Sequence, residues 1–471
     1  MSADPARLAA SVAFDLPDLL AATGGELFRL GAATRVSGVT TDTRGLVAGE
    51  LFVPIRGPQH DGHAHLATAA AAGAAAVLVE RAACPEAPAC TTIVVRDTLA
   101  ALGDLARWHR RRRPARVLAV AGSNGKTTTK EMLAAIAADA VGASRIVHTR
   151  GSQNNLVGLP LTLLRLEPTH ELAVVELGMN VPGELWRLAG IAEPDLGLVT
   201  CIGPEHLEGV GSLHGAACAE GELFRRLRPS AVAVVNGDDP LVVEQAAAFP
   251  GRCVVFGTDG EVGAEAIEDL GIEGTRFVLR VAEARLPVRL AVAGRHNVSN
   301  ACAAAAAAHA VGIAGETVRA GLERVTAPSM RMEIRRLPSG VTVLNDCYNA
   351  NPASMAAALQ TLAASHATRR IAVLGEMREL GEHAEAACHE LGTAAAAVGL
   401  EVLLLLGVQA PLVRDSALAA GMDASRVVVA ADHDEAARRL RTTIRAGDVV
   451  LLKGSRGATL ERILQRLEQE A

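Results

Sequence analysis

Val117-Leu118-Ala119-Val120-Ala121-Gly122-Ser123-Asn124-Gly125-Lys126-Thr127-Thr128-Thr129-Lys130 runs from five apolar residues through a glycine-bounded polar turn into a helix-like stretch. A chain cradles phosphate in this order. Glycines let backbone N–H groups close on phosphate oxygens, Lys126 reaches the outer phosphates, and the Thr127 hydroxyl can hold Mg²⁺. The helix N-terminal dipole adds to the attraction. The spacing is the shorter G-x-x-G-K-T, because the general G-x-x-x-x-G-K-[ST] would put glycine where this chain has Val120. Gly122, Ser123, Asn124, Gly125, Lys126, Thr127 and Thr128 are candidate nucleotide-binding residues, and ATP with Mg²⁺ is the expected ligand. A glycine-rich turn carrying a surface lysine is the alternative, and the flanking strand and helix argue against it.

Outward from that loop, short apolar runs alternate with amphipathic stretches, the pattern of βαβ units and a mainly parallel sheet. The runs are Val117 to Ala121, Leu172 to Leu177, Leu196 to Cys201 and Ala231 to Val235, then Val341 to Leu344, Ile371 to Leu374, Val402 to Leu406 and Val449 to Leu452. At 471 residues, and about 150 per domain, three domains are expected. The reading is an α/β protein with units 1–113, 114–327 and 328–471. The first ends in Arg110-Arg111-Arg112-Arg113-Pro114, read as a solvated helix end in preference to an anion site.

Lys plus Arg is 46, Asp plus Glu is 52, net charge is −6 and aromatics are 2%, which argues against a nucleic-acid partner. Met1 to Leu20 lacks a basic segment followed by an apolar core, and the Ala-rich runs are too weakly apolar to span a bilayer. No membrane insertion and a cytoplasmic location are expected. Eight cysteines without a C-x-x-C pair read as buried reduced thiols.

Polar groups collect at the carboxyl ends of the strands, where open parallel sheets bind ligands: Lys126, Glu176, Glu205 with His206, then Asp346, Glu376 and Lys453. A carboxylate ending an apolar strand is costly unless paired or metal-bound, so Glu176 is a candidate metal ligand. His206, at the same edge, is another. Asn154 and Asn155 read as substrate contacts or turn caps. Asn297 and Asn300, i and i+3 on one helix face, suit an adenine edge or a cap. Asp346 suits ribose, Ser354 a substrate or a helix cap, and the Lys453-Gly454-Ser455-Arg456 turn a carboxylate or phosphate.

Together these segments resemble the Mur ligases, the ATP-dependent amide-forming enzymes of peptidoglycan synthesis, with motifs in all three units. Tyr348-Asn349-Ala350-Asn351-Pro352 differs from the D-Y-A-H-T-P of relatives that add meso-diaminopimelate or lysine, and from the D-G-A-H-N-P of folylpolyglutamate synthases. It looks like the branch that adds a dipeptide. The resemblance implies a UDP-binding first domain, a central ATPase domain and a Rossmann-like third domain. It implies a monomer joining D-alanyl-D-alanine to a UDP-N-acetylmuramoyl-tripeptide through an acyl phosphate. The rivals are a sibling adding one amino acid and a non-catalytic nucleotide-gated binder. Lys126, Glu176 and His206 become the expected catalytic residues, with Thr127, Glu176, His206 and Glu220 toward metal. Arg331, with Asp346, Asn297 and Asn300, falls to nucleotide. Thr43, Arg44, Arg56, Asp61 and His63 fall to the uridine sugar, and Asn154, Asn155, Asn349, Ser354, Lys453, Ser455 and Arg456 to substrate contacts. Two departures stand out: Met330 replaces the family's glycine before Arg331, and Glu220 replaces a lysine that is usually carbamoylated. Because the motifs are divided among three units, ligands are expected to draw both outer domains inward.

Overall fold

The computed structural model describes residues 12–86 and 88–469. Residues 1–11, Ala87 and 470–471 lie outside the described residues, and with them part of the leader reading and the outer ends of the first and third units. The strand leading into the loop, Arg116–Ala121, is buried after its first residue. It sits inside a nine-stranded sheet, with Leu172–Glu176 on one side and Leu196–Val199 on the other, both parallel to it. The chain therefore builds outward in two directions from this strand, and the crevice beyond its carboxyl end is where such a sheet binds ligand. Ile146–His148, Val232–Asn236, Arg252–Phe256 and Val262–Asp269 extend the parallel part. Thr275–Val281 and Ala284–Leu290 close it as an antiparallel ribbon, whose alternation of exposed and buried residues matches a two-residue period.

The third sheet has six strands in the order Glu333–Arg336, Thr342–Asp346, Val449–Lys453, Arg370–Leu374, Val402–Leu405 and Val427–Val429. It is parallel except for its first pair. A mixed five-stranded sheet lies within residues 26–95. The eight apolar runs named in the sequence are all strands. No described helix is long and apolar enough to cross a membrane.

The arginine run is solvated only in part: Arg111 and Arg112 are exposed, yet most of its charges are engaged. Arg110 is buried and pairs with Asp195 at 2.8 Å, Arg107 and Arg111 both grip Glu193, and Arg113 donates to the Leu166 carbonyl. The charges clamp the helix Thr98–Arg110 onto the central domain. Beneath the clamp one apolar core runs through both domains, joining Phe14, Leu102 and Leu105 to Leu188 and Ile191. Nor are the thiols uniformly buried: Cys302, Cys347 and Cys388 are, whereas Cys218 and Cys253 are exposed.

Candidate active site

The phosphate loop is shaped by two glycines in the left-handed region, Gly122 at φ 121° and Gly125 at φ 83°. Each is also closely packed: an added Cβ would lie 2.2 Å from Thr200 Oγ1 at 122 and 2.1 Å from Asn300 Oδ1 at 125. Side chains could enter neither position without moving the loop. Asn300 belongs to a ladder behind the loop. It accepts from Thr129 Oγ1 at 3.4 Å and donates to Asn297 Oδ1 at 2.8 Å, and Asn297 donates to the Ala293 carbonyl at 2.7 Å. Both amides line the cavity, yet they are committed to bracing the loop, which is a different task from reading an adenine edge.

Lys126 Nζ donates to the carbonyls of Gly122 at 2.5 Å and Ser123 at 3.1 Å, and lies 3.5 Å from Glu205 Oε2. Burial acts to lower its pKa, but the carboxylates of Glu205, Glu220 and Glu176 outweigh burial and hold the ammonium above its ordinary value. Glu220 is buried under the loop and accepts the Gly122 N–H at 2.8 Å. Burial pushes its carboxyl up to about 7, with Lys126 opposing. It is absent from the cavity wall.

Among the buried side-chain oxygens without a hydrogen-bond partner, two belong to expected metal ligands: Glu176 Oε2 and Thr127 Oγ1. An orphaned carboxylate oxygen and an orphaned hydroxyl, on neighbouring ends of a strand and a helix, are oxygen donors of the kind Mg²⁺ takes. These residues fit the ion. The other carboxylate oxygen, Glu176 Oε1, accepts from Asn154 Nδ2 at 2.8 Å, which fixes the orphan's direction. Asn155 is exposed and caps the following turn through Val157 and Gly158 N–H groups. His206, at φ 53°, meets Glu379 of the third domain, Nδ1 to Oε2, at 2.5 Å.

The third domain supplies the facing wall of the same cavity, about 430 Å³ in volume. Asn351 Nδ2 donates to Asn124 Oδ1 at 2.9 Å and Asn349 Nδ2 to Glu205 Oε1 at 3.3 Å. Lys453 is buried and already neutralised, donating to Asp346 Oδ2 at 2.6 Å and to the Asn349 carbonyl at 3.0 Å. Asp346 is thereby engaged by a lysine, and its other oxygen takes Met332 N–H at 3.1 Å. Ser354 forms a reciprocal capping box with Asn351 on the helix Pro352–Ala364, so the cap reading describes its bonds, although it lines the cavity as well. Arg331 stacks 4.0 Å over Tyr348. The residues on either side, Met330 and Met332, have φ of 58° and 52°. A family glycine at 330 thus has a physical reason, and methionine holds the same turn at a cost of about 1 kcal/mol.

Of the strand-end groups named in the sequence, Glu376 alone stays off the wall and accepts instead from Val408 N–H at 2.8 Å. Ser455 accepts from Arg378 N–H at 2.9 Å, and Arg456 pairs with Glu461 at 2.5 Å. In the first domain Arg56 pairs with Asp61 at 3.0 Å, and His63 donates from Nδ1 to Asp61 while Nε2 accepts Glu80 N–H at 3.2 Å. Thr43 starts the short turn that Asp42 caps, and Arg44 grips Asp42. None of these five lines the cavity. Nothing local in the sequence marked Glu379 as an interdomain group, since its partner His206 lies 173 positions away.

Three family models match the chain: Mur ligase family, catalytic domain, over residues 35–110; Mur ligase middle domain over 120–308; and Mur ligase, glutamate ligase domain over 330–456. The chain is 37% identical over 460 residues to the UDP-N-acetylmuramoyl-tripeptide--D-alanyl-D-alanine ligase of Escherichia coli K12, covering 96% of this chain and 97% of that protein. The enzyme of the same name from Bacillus subtilis 168 is 36% identical, covering 92% and 93%. Among solved structures, MurF from Acinetobacter baumannii superposes with TM-score 0.88 at 30% identity, covering 97% and 99%. The MurF ligase from Thermotoga maritima in complex with ADP gives 0.80 at 25%, covering 92% and 97%.

Proposed function

Because this chain belongs to the Mur ligase family, we propose that ATP and a UDP-N-acetylmuramoyl-tripeptide react in the cavity between its second and third domains. The enzyme is an ATP-dependent ligase that joins D-alanyl-D-alanine to that tripeptide in peptidoglycan synthesis. A terminal carboxylate oxygen of the tripeptide attacks the γ-phosphorus, and ADP leaves with the electrons of the broken P–O bond. The dipeptide amine then attacks the acyl carbon, phosphate leaves, and the amine gives up its proton. No side chain need act as nucleophile, so the protein's part is positioning and charge neutralisation.

Lys126 offsets charge on the outer phosphates, the loop N–H groups hold them, and the Asn297–Asn300 ladder keeps the loop in shape. Thr127 and Glu176 would hold Mg²⁺, His206 stands on the same cavity wall as Glu176, and Glu220 supports the loop from beneath. When bound, the ion supplies positive charge to the transferring phosphoryl group. Arg331 and Asp346 serve the nucleotide side of the third domain, and Lys453, which pairs with Asp346, borders the substrate. Thr43, Arg44, Arg56, Asp61 and His63 take the UDP end, in a chain divided at 113/114 and 327/328 that acts as a cytoplasmic monomer.

One observation carries this reading: a single cavity brings the phosphate loop and the orphaned Glu176 oxygen against the Asp346-to-Ser354 segment. The test is phosphate release from ATP with UDP-N-acetylmuramoyl-tripeptide, comparing D-alanyl-D-alanine with single amino acids and glutamate. Release dependent on the dipeptide supports it. Release driven equally by a single amino acid replaces it with a sibling ligase.

A further inference from the structure

Where the helix Thr98–Arg110 meets the helix Glu184–Ala192, a solvent-facing cavity of about 390 Å³ opens at the first junction. Asp104 and Arg107 line it from one helix, and Trp186, Arg187 and Ile191 from the other. Arg226 closes it from the end of the helix Leu213–Arg226. None of these six residues lines the cavity around the phosphate loop.

Neighbouring arginines at this junction are paired: Arg107 with Glu193 at 2.9 Å, Arg110 with Asp195 at 2.8 Å and Arg228 with Asp195 at 3.0 Å. The guanidinium groups of Arg187 and Arg226 have no ion pair or hydrogen bond among the described residues, and neither has the Asp104 carboxylate. Arg226 is held instead by a ring, its guanidinium carbon 5.0 Å from the Trp186 centroid. Gly190, one helical turn beyond Trp186 on the same face, gives it room, since an added Cβ would stand 3.2 Å from both Nε and Nη2. The planar fork therefore keeps its N–H donors for an anion. Trp186 itself is 45% exposed beside Ile191, an apolar floor left in water. Two guanidiniums without a carboxylate outweigh one carboxylate without a cation, so the cavity carries an excess of positive charge. Trp and Arg are also the side chains that most often anchor protein interfaces. Small-ligand pockets enclose roughly 70–90% of their ligand, whereas here Asp104, Trp186 and Arg226 all face solvent, a form that suits a segment of chain lying across the surface.

We propose that this cavity docks an acidic segment of a partner protein, whose carboxylate bridges Arg187 and Arg226 while the apolar side chain next to it covers Trp186 and Ile191. A hydroxyl or amide N–H of the segment meets Asp104. The charge balance selects the occupant: a basic or neutral segment would take two guanidiniums out of water without an anion to offset the loss. The position also sets the consequence. The cavity belongs to the junction whose apolar core is continuous through both domains, away from the phosphate loop, so a partner seated there tethers the enzyme without stopping its turnover.

The test uses the full chain and a fluorescein-labelled, end-blocked peptide, Glu-Leu-Glu-Leu-Glu, followed by fluorescence anisotropy at low salt. Binding to the parent should saturate, and the Gln-Leu-Gln-Leu-Gln peptide should bind about ten-fold more weakly or worse, the scale of one charge-assisted hydrogen bond. Salt at about 0.5 M should weaken the acidic peptide and not its neutral counterpart. The double variant Arg187→Glu with Arg226→Glu should lose the acidic peptide and take Lys-Leu-Lys-Leu-Lys in its place, with phosphate release in the ligase assay within about two-fold of the parent. Arg226→Gln, which removes one charge and keeps most of the side chain, and Trp186→Ala should each weaken the acidic peptide by about ten-fold. No saturable binding of that peptide to the parent overturns the proposal, as does a double variant that binds it as tightly. Self-association of the parent in sedimentation velocity, abolished in the double variant, overturns it too, by seating a second copy of the chain where the acidic partner was placed.

Discussion

Lys126 concentrates the chemistry of the site in one ammonium, bracketed by loop carbonyls and faced by Glu205. Lys126→Ala should cut kcat by about 10²–10³-fold or more while leaving the thermal midpoint nearly unchanged, since it removes transition-state charge and no core packing. Near-normal turnover in a phosphate-release assay would contradict the loop's role. Glu220 makes a different prediction. Its folded pKa of about 7 stands above the ordinary carboxyl value of 4.5, so its stabilising contribution is complete below pH 4.5 and is lost as pH rises through 7. In metal-free protein Glu220→Gln should therefore be the more stable form at pH 8, by an amount of the order of 3 kcal/mol, measured by urea midpoints. Because the position carries its own carboxyl group, turnover should be equal in CO₂-depleted and bicarbonate-supplemented buffer. At this scale the sequence was partly legible. The loop, Glu176 and His206 could be read from type and strand-end position, but the engagement of Asp346 by Lys453 could not, because it joins positions 107 residues apart.

Elements were legible where periodicity was strong. The buried parallel strands of the second and third domains are continuous apolar runs bounded by turns, and these survive any tertiary context. The antiparallel ribbon from Val262 to Leu290 alternates Arg, Leu, Val and Glu, a weaker signal that a search for apolar runs passes over. Most misleading was the helix end at Arg110 to Arg113, because a run of like charges reads as a solvated face unless its partners, Glu193 and Asp195, are known to be near. The same helix carries His109, buried against Phe14, with its Nε2 donating to the Leu166 carbonyl at 2.8 Å. Burial lowers its pKa from 6.5 to about 4. The unfolded chain takes up the proton first, so stability falls as pH drops from 6.5 toward 4, by an amount of the order of 3 kcal/mol. This opposes the gain from Glu220 over nearly the same range. The parent should show a flat acid limb between pH 6.5 and 4.5, and His109→Gln should show stability rising on acidification. Parallel pH profiles for parent and variant would refute the assignment to His109.

Across the whole molecule the two junctions differ in kind. The first is an apolar core continuous through both domains and clamped by arginines; Gly103 packs so closely on Ile191 that an added Cβ would be 2.7 Å from Cδ1. Around the cavity, the second is joined by side-chain hydrogen bonds, Asn351 to Asn124, Asn349 to Glu205 and Glu379 to His206. Motifs divided among three domains suggest that both outer domains move, but the packing assigns the motion to the third, since separating the first would expose core. With a nonhydrolysable ATP analogue and the UDP-tripeptide, small-angle scattering should show a smaller radius of gyration than the free chain. Hydrogen exchange should change at the second junction and not in the helix Thr98–Arg110. Equal radii, or exchange changes concentrated in that helix, would count against it. The distribution of the few indole and phenol rings follows the same division. Trp108, 5.8 Å from Phe14, and Trp186, 5.0 Å beneath Arg226, both flank the first junction, while the chain's one tyrosine, Tyr348, stands at the second. Red-edge emission from this protein therefore reports on the part that stays still, and energy passed from the lone phenol to the indoles becomes a built-in optical gauge of the part that moves.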